Sequence, residues 1–214
     1  MHIPDAFIPI WQGAIYWFIA IIFIALALKW ARKDLNEEKL PLVAVLAAGI
    51  FALQSFNLPV SMGTSGHLVG GALAAIILGS PFAAVFILTL ALIIQAVLFG
   101  DGGITTMGAS IINMGVIGGF VGFYSFKGIM RITKSMSIAA FIAAWLACLI
   151  PALAAAVEMY IAGTFPLTEG LIAMGIYHAI IGIIEGIVTL AVIYLITTAR
   201  PDLVDTGVLT LAGA

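Results

Sequence analysis

Three histidines, His2, His67 and His178, are the side chains of this 214-residue chain best suited to hold a metal ion. His2 stands in the opening stretch MHIPDAFIP. Behind a free terminus, a histidine at position 2 offers three donors: the Met1 amine, its own amide nitrogen and its imidazole. Together they close adjacent five- and six-membered chelate rings on one ion, occupying three corners of a square. Nitrogen-rich tetragonal sites suit Ni(II) and Cu(II), and a deprotonated amide nitrogen, a strong-field donor, also favours Co(II). An imidazole from His67 would complete the plane. Because methionine is normally trimmed only before small residues, Met1 is expected to stay. Pro4 and Pro9 stiffen the segment and delay the first helix. The stretch carries neither the basic region nor the small-residue cleavage site of a secretory signal.

The elements that would position these groups are membrane helices. The chain is 64% hydrophobic and 8% charged, against about 25% charged in soluble proteins, which makes it an integral membrane protein. A net charge of -2 leaves no basic face for nucleic acid. Apolar runs near 7–31, 41–56, 82–99, 108–126, 135–161 and 169–198 read as six spans of about 20 residues. Between the second and third lies GHLVGGALAAIILGSP, Gly66 to Pro81, whose apolar part reaches roughly 20 Å as a helix.

Charge decides whether that short segment crosses. The eight Lys and Arg residues fall in three groups: Lys29, Arg32, Lys33 and Lys39; Lys127, Arg131 and Lys134; and Arg200. Positive charge in short loops marks the cytoplasmic side. The first two groups share a side only if the short segment crosses too. The expected fold is therefore an all-α polytopic bundle of seven transmembrane helices, the third short, with the N-terminus outside and the C-terminus cytoplasmic. Met1 to Ala6, Asn57 to Ser65, Gly100 to Met107 and Gly163 to Thr168 form the outer loops, and none contains Lys or Arg. His2 and His67 then share the outer side, with His67 expected to start the short helix. A short span must be sheltered by other helices. Gly66, Gly70 and Ala74, and Gly71, Ala75 and Gly79, form small-residue rows that permit close approach, as do Gly115 with Gly119 and Gly118 with Gly122.

Polar groups inside spans usually have a job. His178 and Glu185 are seven residues apart on one helical face, with Gly182 between them, and read as a structural pair or a relay. Gln95, Asn113 and Glu158 are expected to hydrogen-bond between helices. Gln95 and Asn113 are also candidates to orient a metal-bound imidazole. Asp101 would attract cations or fix its turn. The single Cys148 reads as buried packing.

Four stretches carry a resemblance over nearly the whole chain: MHIPDAF, MGTSGHLVGGALAAIILGSP, IQAVLFGDGGITTMGA (Ile94 to Ala109) and YHAIIGIIEG (Tyr177 to Gly186). They resemble the CbiM family, the substrate-binding membrane (S) components of energy-coupling factor cobalt importers, to which the nickel counterpart NikM is closely similar. The resemblance implies a metal site of Met1, His2 and His67, with Co2+ as the transported substrate and Ni2+ as the alternative. It implies three kinds of partner: a membrane coupling subunit (CbiQ-like), cytoplasmic ATPases (CbiO-like) and a small membrane accessory protein (CbiN-like). No G-x-x-x-x-G-K-[ST] loop occurs in the chain, so ATP hydrolysis falls to partners, and neither enzymatic activity nor an organic cofactor is expected. Ala44, Ala48 and Ala52 are the small-residue row expected to meet a partner helix. Ala6 stands where the family usually has Gly and would be strained if that position needs positive φ. The expected organisation is one plasma-membrane domain over 1–214, with a metal-binding segment at 1–9 and a cytoplasmic tail at 200–214. A stand-alone secondary transporter and a membrane metalloenzyme are the rival classes. The first wants an ionisable relay, hinted at only by His178 and Glu185, and the second lacks an obvious catalytic base.

Overall fold

Proline and serine set most of the helix starts. Pro9 and Pro166 precede α1 (Ile10–Asp34) and α7 (Leu167–Ala199). Ser80 caps α4 (Pro81–Phe99), its hydroxyl accepting from Phe82 N at 3.2 Å, and Pro81 fills the first turn, where its missing N–H costs nothing. Ser135 does the same for α6 (Met136–Ile161), accepting from Ile138 N. These helices, with α2 (Leu40–Gln54), α3 (Gly71–Ile77) and α5 (Met107–Thr133), make up a computed structural model that describes residues 2–60 and 64–204. An antiparallel hairpin, β1 (Leu58–Val60) with β2 (Thr64–Gly66), lies between α2 and α3 and pairs Leu58 with Gly66. π-turns interrupt α4 at Gln95–Phe99 and α5 at Ile111–Gly118, a feature frequent where helices carry functional groups.

Five of these helices are long and apolar enough to cross a membrane: α1, α4, α5, α6 and α7. α1 leaves large apolar side chains such as Ile10 and Phe18 facing outward, the surface that lipid requires. α2 has 15 residues and α3 only seven. Every residue of α3 is buried, and glycines on α5 permit this. A Cβ on Gly122 would come 2.6 Å from Ala72 Cβ, and one on Gly71 would come 2.9 Å from Met114 O. The small-residue rows of α5 are therefore packing surfaces for α3, α4 and α6.

The short segment departs from expectation in one respect. His67 does not start a helix; α3 begins four residues later, at Gly71. Residues 64–66 are strand, Leu68 to Gly70 are irregular, and Gly70 adopts φ 78°. Gly66 and Gly70 therefore lie outside the helix, and their row with Ala74 is not a helical one. The physical reason is a competing set of partners. The Glu185 carboxylate accepts from Val69 N at 2.7 Å and Gly70 N at 2.8 Å, and Gln54 Nε2 donates to Val69 O at 2.8 Å. Backbone satisfied by side chains need not coil into a helix. The two ends of the segment line different cavities. Ser65 lines a mouth with His2 and Asp101, while Leu78 to Ser80 line a cavity with Trp30, Asp34 and Lys39.

Candidate metal centre

The N-terminal segment is tied down before it reaches α1. The Ile3 carbonyl accepts from Gly103 N at 3.0 Å and from Thr106 Oγ1 at 2.5 Å. The Asp5 carboxylate accepts from Thr105 N at 2.9 Å, Thr105 Oγ1 at 2.5 Å and Ile104 N at 3.3 Å. Further on, Phe7 O accepts from Thr164 Oγ1 at 2.5 Å. Ile3 and Ile8 pack with Ala109 on the start of α5. Between the ties Ala6 sits at φ 70°, so the strain expected of a non-glycine residue there is present.

These ties deliver His2 into the bundle, 6% exposed, against His67, 1% exposed. The two rings stack with centroids 4.4 Å apart and an interplanar angle of 22°. His2 Nδ1 lies 3.0 Å from Asp101 Oδ1, and Asp101 also accepts from Asn57 Nδ2 at 3.2 Å. Burial pushes the His2 imidazole below its ordinary pKa, with Asp101 opposing in part, so the ring is neutral at neutral pH, the form that binds metals. The His2 contact holds the Asp101 carboxyl below its usual range, leaving a carboxylate at the mouth. With Nδ1 turned to Asp101, the buried His2 Nε2 has no hydrogen-bond partner among the described residues. A chelate through Nδ1 would exchange the Asp101 contact for the metal, and the stacked rings would turn to converge on one ion. His67 Nδ1 lies 2.8 Å from Leu68 O, a contact that fixes the orientation of the ring. Gln95, 1% exposed, lies beside His2, and neither amide atom of its side chain has a partner among the described residues. Met1 lies outside the described residues. Among those described, no group of three or more His, Cys, Asp and Glu side chains is arranged to hold a metal.

The other polar residues sort by what they touch. Asn113 Nδ2 donates to Glu158 Oε2 at 2.7 Å, and Gln12 Nε2 to Glu158 O at 2.8 Å; this cluster ties α1, α5 and α6 together. The amide nitrogen of Asn113 is thus turned to Glu158. His178 and Glu185 are both buried on α7 and are not paired with each other: His178 Nδ1 bonds back to Met174 O at 2.9 Å, and Glu185 takes the backbone of residues 69 and 70. Cys148 is fully buried, with its thiol beside the Glu185 carboxylate. Ala44, Ala48 and Ala52 all lie exposed on the outward face of α2. Asp5, Gln54, Asn57, Thr105, Thr106 and Thr164 were not singled out from sequence. The signal for Asp5 was a carboxylate following Pro in a loop, a usual side-chain-to-backbone cap, but its partners are about 100 residues away.

The chain matches the family model for the cobalt uptake substrate-specific transmembrane region, CbiM, over residues 2–203. A putative metal transport protein of Haloquadratum walsbyi is 41% identical over 208 residues, covering 96% of this chain and 94% of the relative. A putative fused nickel transport protein NikMN of Archaeoglobus fulgidus is 38% identical (96% and 68% covered), and a cobalt transport protein CbiM of Geobacter sulfurreducens is 34% identical (95% and 61% covered). The crystal structure of a truncated transition metal transporter superposes with a TM-score of 0.87 at 32% identity, covering 92% of this chain and 99% of that one. With the family model spanning all but the ends, and apolar helices long enough for repeated crossings, the chain is a multi-pass membrane protein that belongs to the CbiM family of cobalt uptake components.

Proposed function

We propose that this protein is the metal-capturing S-component of an ATP-driven energy-coupling factor importer. Co2+ is the proposed substrate, taken from outside for cobalamin synthesis, in a donor set of the Met1 amine, the His2 amide and imidazole, and the His67 imidazole. The observation that carries this reading is the buried His2–His67 stack, 4.4 Å between centroids, beneath a mouth lined by Asp5 and Asp101. Neutral imidazoles held under carboxylates draw in a divalent cation and then bind it through nitrogen. Ni2+ is the alternative substrate, because nitrogen donors suit it equally and nickel transport proteins stand among the relatives.

The proposed topology has seven crossings, with the N-terminus and the mouth outside. Support comes from the convergence of three proposed outer loops on the mouth, with Thr164 of the fourth bonded to Phe7, and from the short segment's reach towards Lys39. Residues 1–9 form the metal-binding segment of a single domain over 1–214, and 200–214 form a cytoplasmic tail, of which 205–214 lie outside the described residues. Energy comes from CbiO-like ATPases acting through a CbiQ-like membrane subunit, with a CbiN-like accessory protein. The fused NikMN relatives fit the last of these. The exposed Ala44, Ala48 and Ala52 row is the proposed helix contact for the coupling subunit.

Radiolabelled Co2+ and Ni2+ uptake into cells expressing the chain with and without its partner subunits tests this reading. Uptake that needs the partners and their ATP hydrolysis supports it. ATP-independent uptake into liposomes by the chain alone would establish a secondary transporter instead.

A further inference from the structure

We propose that Glu185, with Gln54, is a positioning residue for His67, forming a clamp through which movement of α7 reaches the metal ligand. The proposal rests on His67 being a ligand. It starts from four residues of non-helical backbone, His67 to Gly70, inside a helical bundle. Backbone of that kind is tolerated at membrane depth only where protein supplies its hydrogen bonds. Here the supply comes from two different helices. α7 gives both oxygens of Glu185, one to Val69 N and one to Gly70 N, and α2 gives Gln54 Nε2 to Val69 O. Both side chains are at most 2% exposed, and Val69 is fully buried, so water offers no substitute partner.

Val69 is two residues from His67, about 7 Å along extended chain. A carboxylate bonded to two successive N–H groups fixes the orientation of that chain as well as its place. Gly70 completes the fixture: at φ 78° it turns the chain into α3, and a Cβ there would come 2.7 Å from Ile50 Cγ1 on α2. The His67 backbone is thus registered to α2 and α7, while His2 is registered separately to the loop from Gly103 to Thr106. The two halves of the site hang from different parts of the bundle. A shift of α7 relative to that loop would carry Val69 with Glu185 and separate His67 from His2, which is how a partner acting on the membrane helices can open the site without touching it.

The test uses the purified full chain in detergent, with Ni2+ as the probe, reading affinity, the metal absorption bands and thermal unfolding. Glu185→Gln places an amide donor against a backbone donor and leaves one N–H unpaired. It is expected to weaken Ni2+ binding about tenfold or more and to shift the absorption bands. Gln54→Met, which removes the partner of Val69 O, is expected to act in the same direction, and it decides the matter if Glu185→Gln does not fold. Trp145→Phe removes a comparable bond between α6 and α7, Trp145 Nε1 to Ala179 O at 2.9 Å, in which residues 67–70 take no part. It is expected to lower the unfolding temperature and leave affinity and spectrum as in wild type. Wild-type affinity and spectrum in the clamp variants, or equal weakening in Trp145→Phe, would overturn the clamp. Failure of the wild-type chain to bind Ni2+ or Co2+ would instead overturn the reading of the site.

Discussion

Asp5→Ala probes how much of metal affinity is held in the tethering of the N-terminal arm. The substitution deletes three accepted hydrogen bonds, from Thr105 N, Thr105 Oγ1 and Ile104 N, and leaves His2 and His67 untouched. A hydrogen bond nets about 0.5–1.5 kcal/mol. Because Asp5 is exposed, its charge is screened and the lower figure applies. Three bonds at about 0.5 kcal/mol total about 1.5 kcal/mol, close to one decade of affinity at about 1.4 kcal/mol per tenfold. These bonds join only the arm to residues 104 and 105, so the loss should fall on binding, which needs the arm seated, rather than on global unfolding. Isothermal titration of Ni2+ into wild type and Asp5→Ala, with a melting curve for each, should give about a tenfold larger Kd and an unfolding temperature within about 2 °C. A Kd within twofold of wild type would refute the reasoning, as would a large fall in unfolding temperature with affinity unchanged.

Other substitutions have equally definite expectations. Gly70→Ala combines a left-handed φ, about 1–2 kcal/mol, with a clash against Ile50 of about 1–3 kcal/mol, and should lower the unfolding temperature clearly in a melt. Ala6→Gly relieves the strain at φ 70° and, after the entropy cost of glycine, should stabilise the seated arm by about 0.5–1 kcal/mol, read as slower proteolysis of the N-terminal segment. Thr106→Val removes the buried hydroxyl bond to Ile3 O and should cost about 1–2 kcal/mol, divided between arm seating and stability and measurable as weaker Ni2+ binding.

Local hydropathy pattern carried much of the helical architecture. Hydropathy and helix-stopping residues located the long helices, although the one expected at 108–126 runs on to Thr133, and the loops without Lys or Arg grouped His2 with His67, whose rings meet in the structure. The Ala6 conformation was legible only through the resemblance, which puts at that position a glycine, the residue that accepts positive φ freely. What stayed hidden depended on long-range bonds between side chains and backbone. Asp5 finds its partners about 100 residues away, and Glu185 finds its own at a separation of 115 and 116. Helical periodicity states which face a residue occupies, not what lies opposite. For that reason α3 was expected to begin at His67, although Glu185 and Gln54 hold the chain out of the helix as far as Gly70. Seven-residue spacing placed His178 and Glu185 on one face, yet each bonds to backbone, so spacing alone did not imply a pair.

In the proposed site the Met1 amine is itself a ligand. The most direct test is metal stoichiometry, affinity and absorption of the pure protein carrying Met1 as its first residue, beside a version with one residue added before Met1. The account predicts one Ni2+ per chain in a yellow, diamagnetic form for the first, and loss of that form with much weaker binding for the second. Equal binding and identical spectra in the two would contradict it.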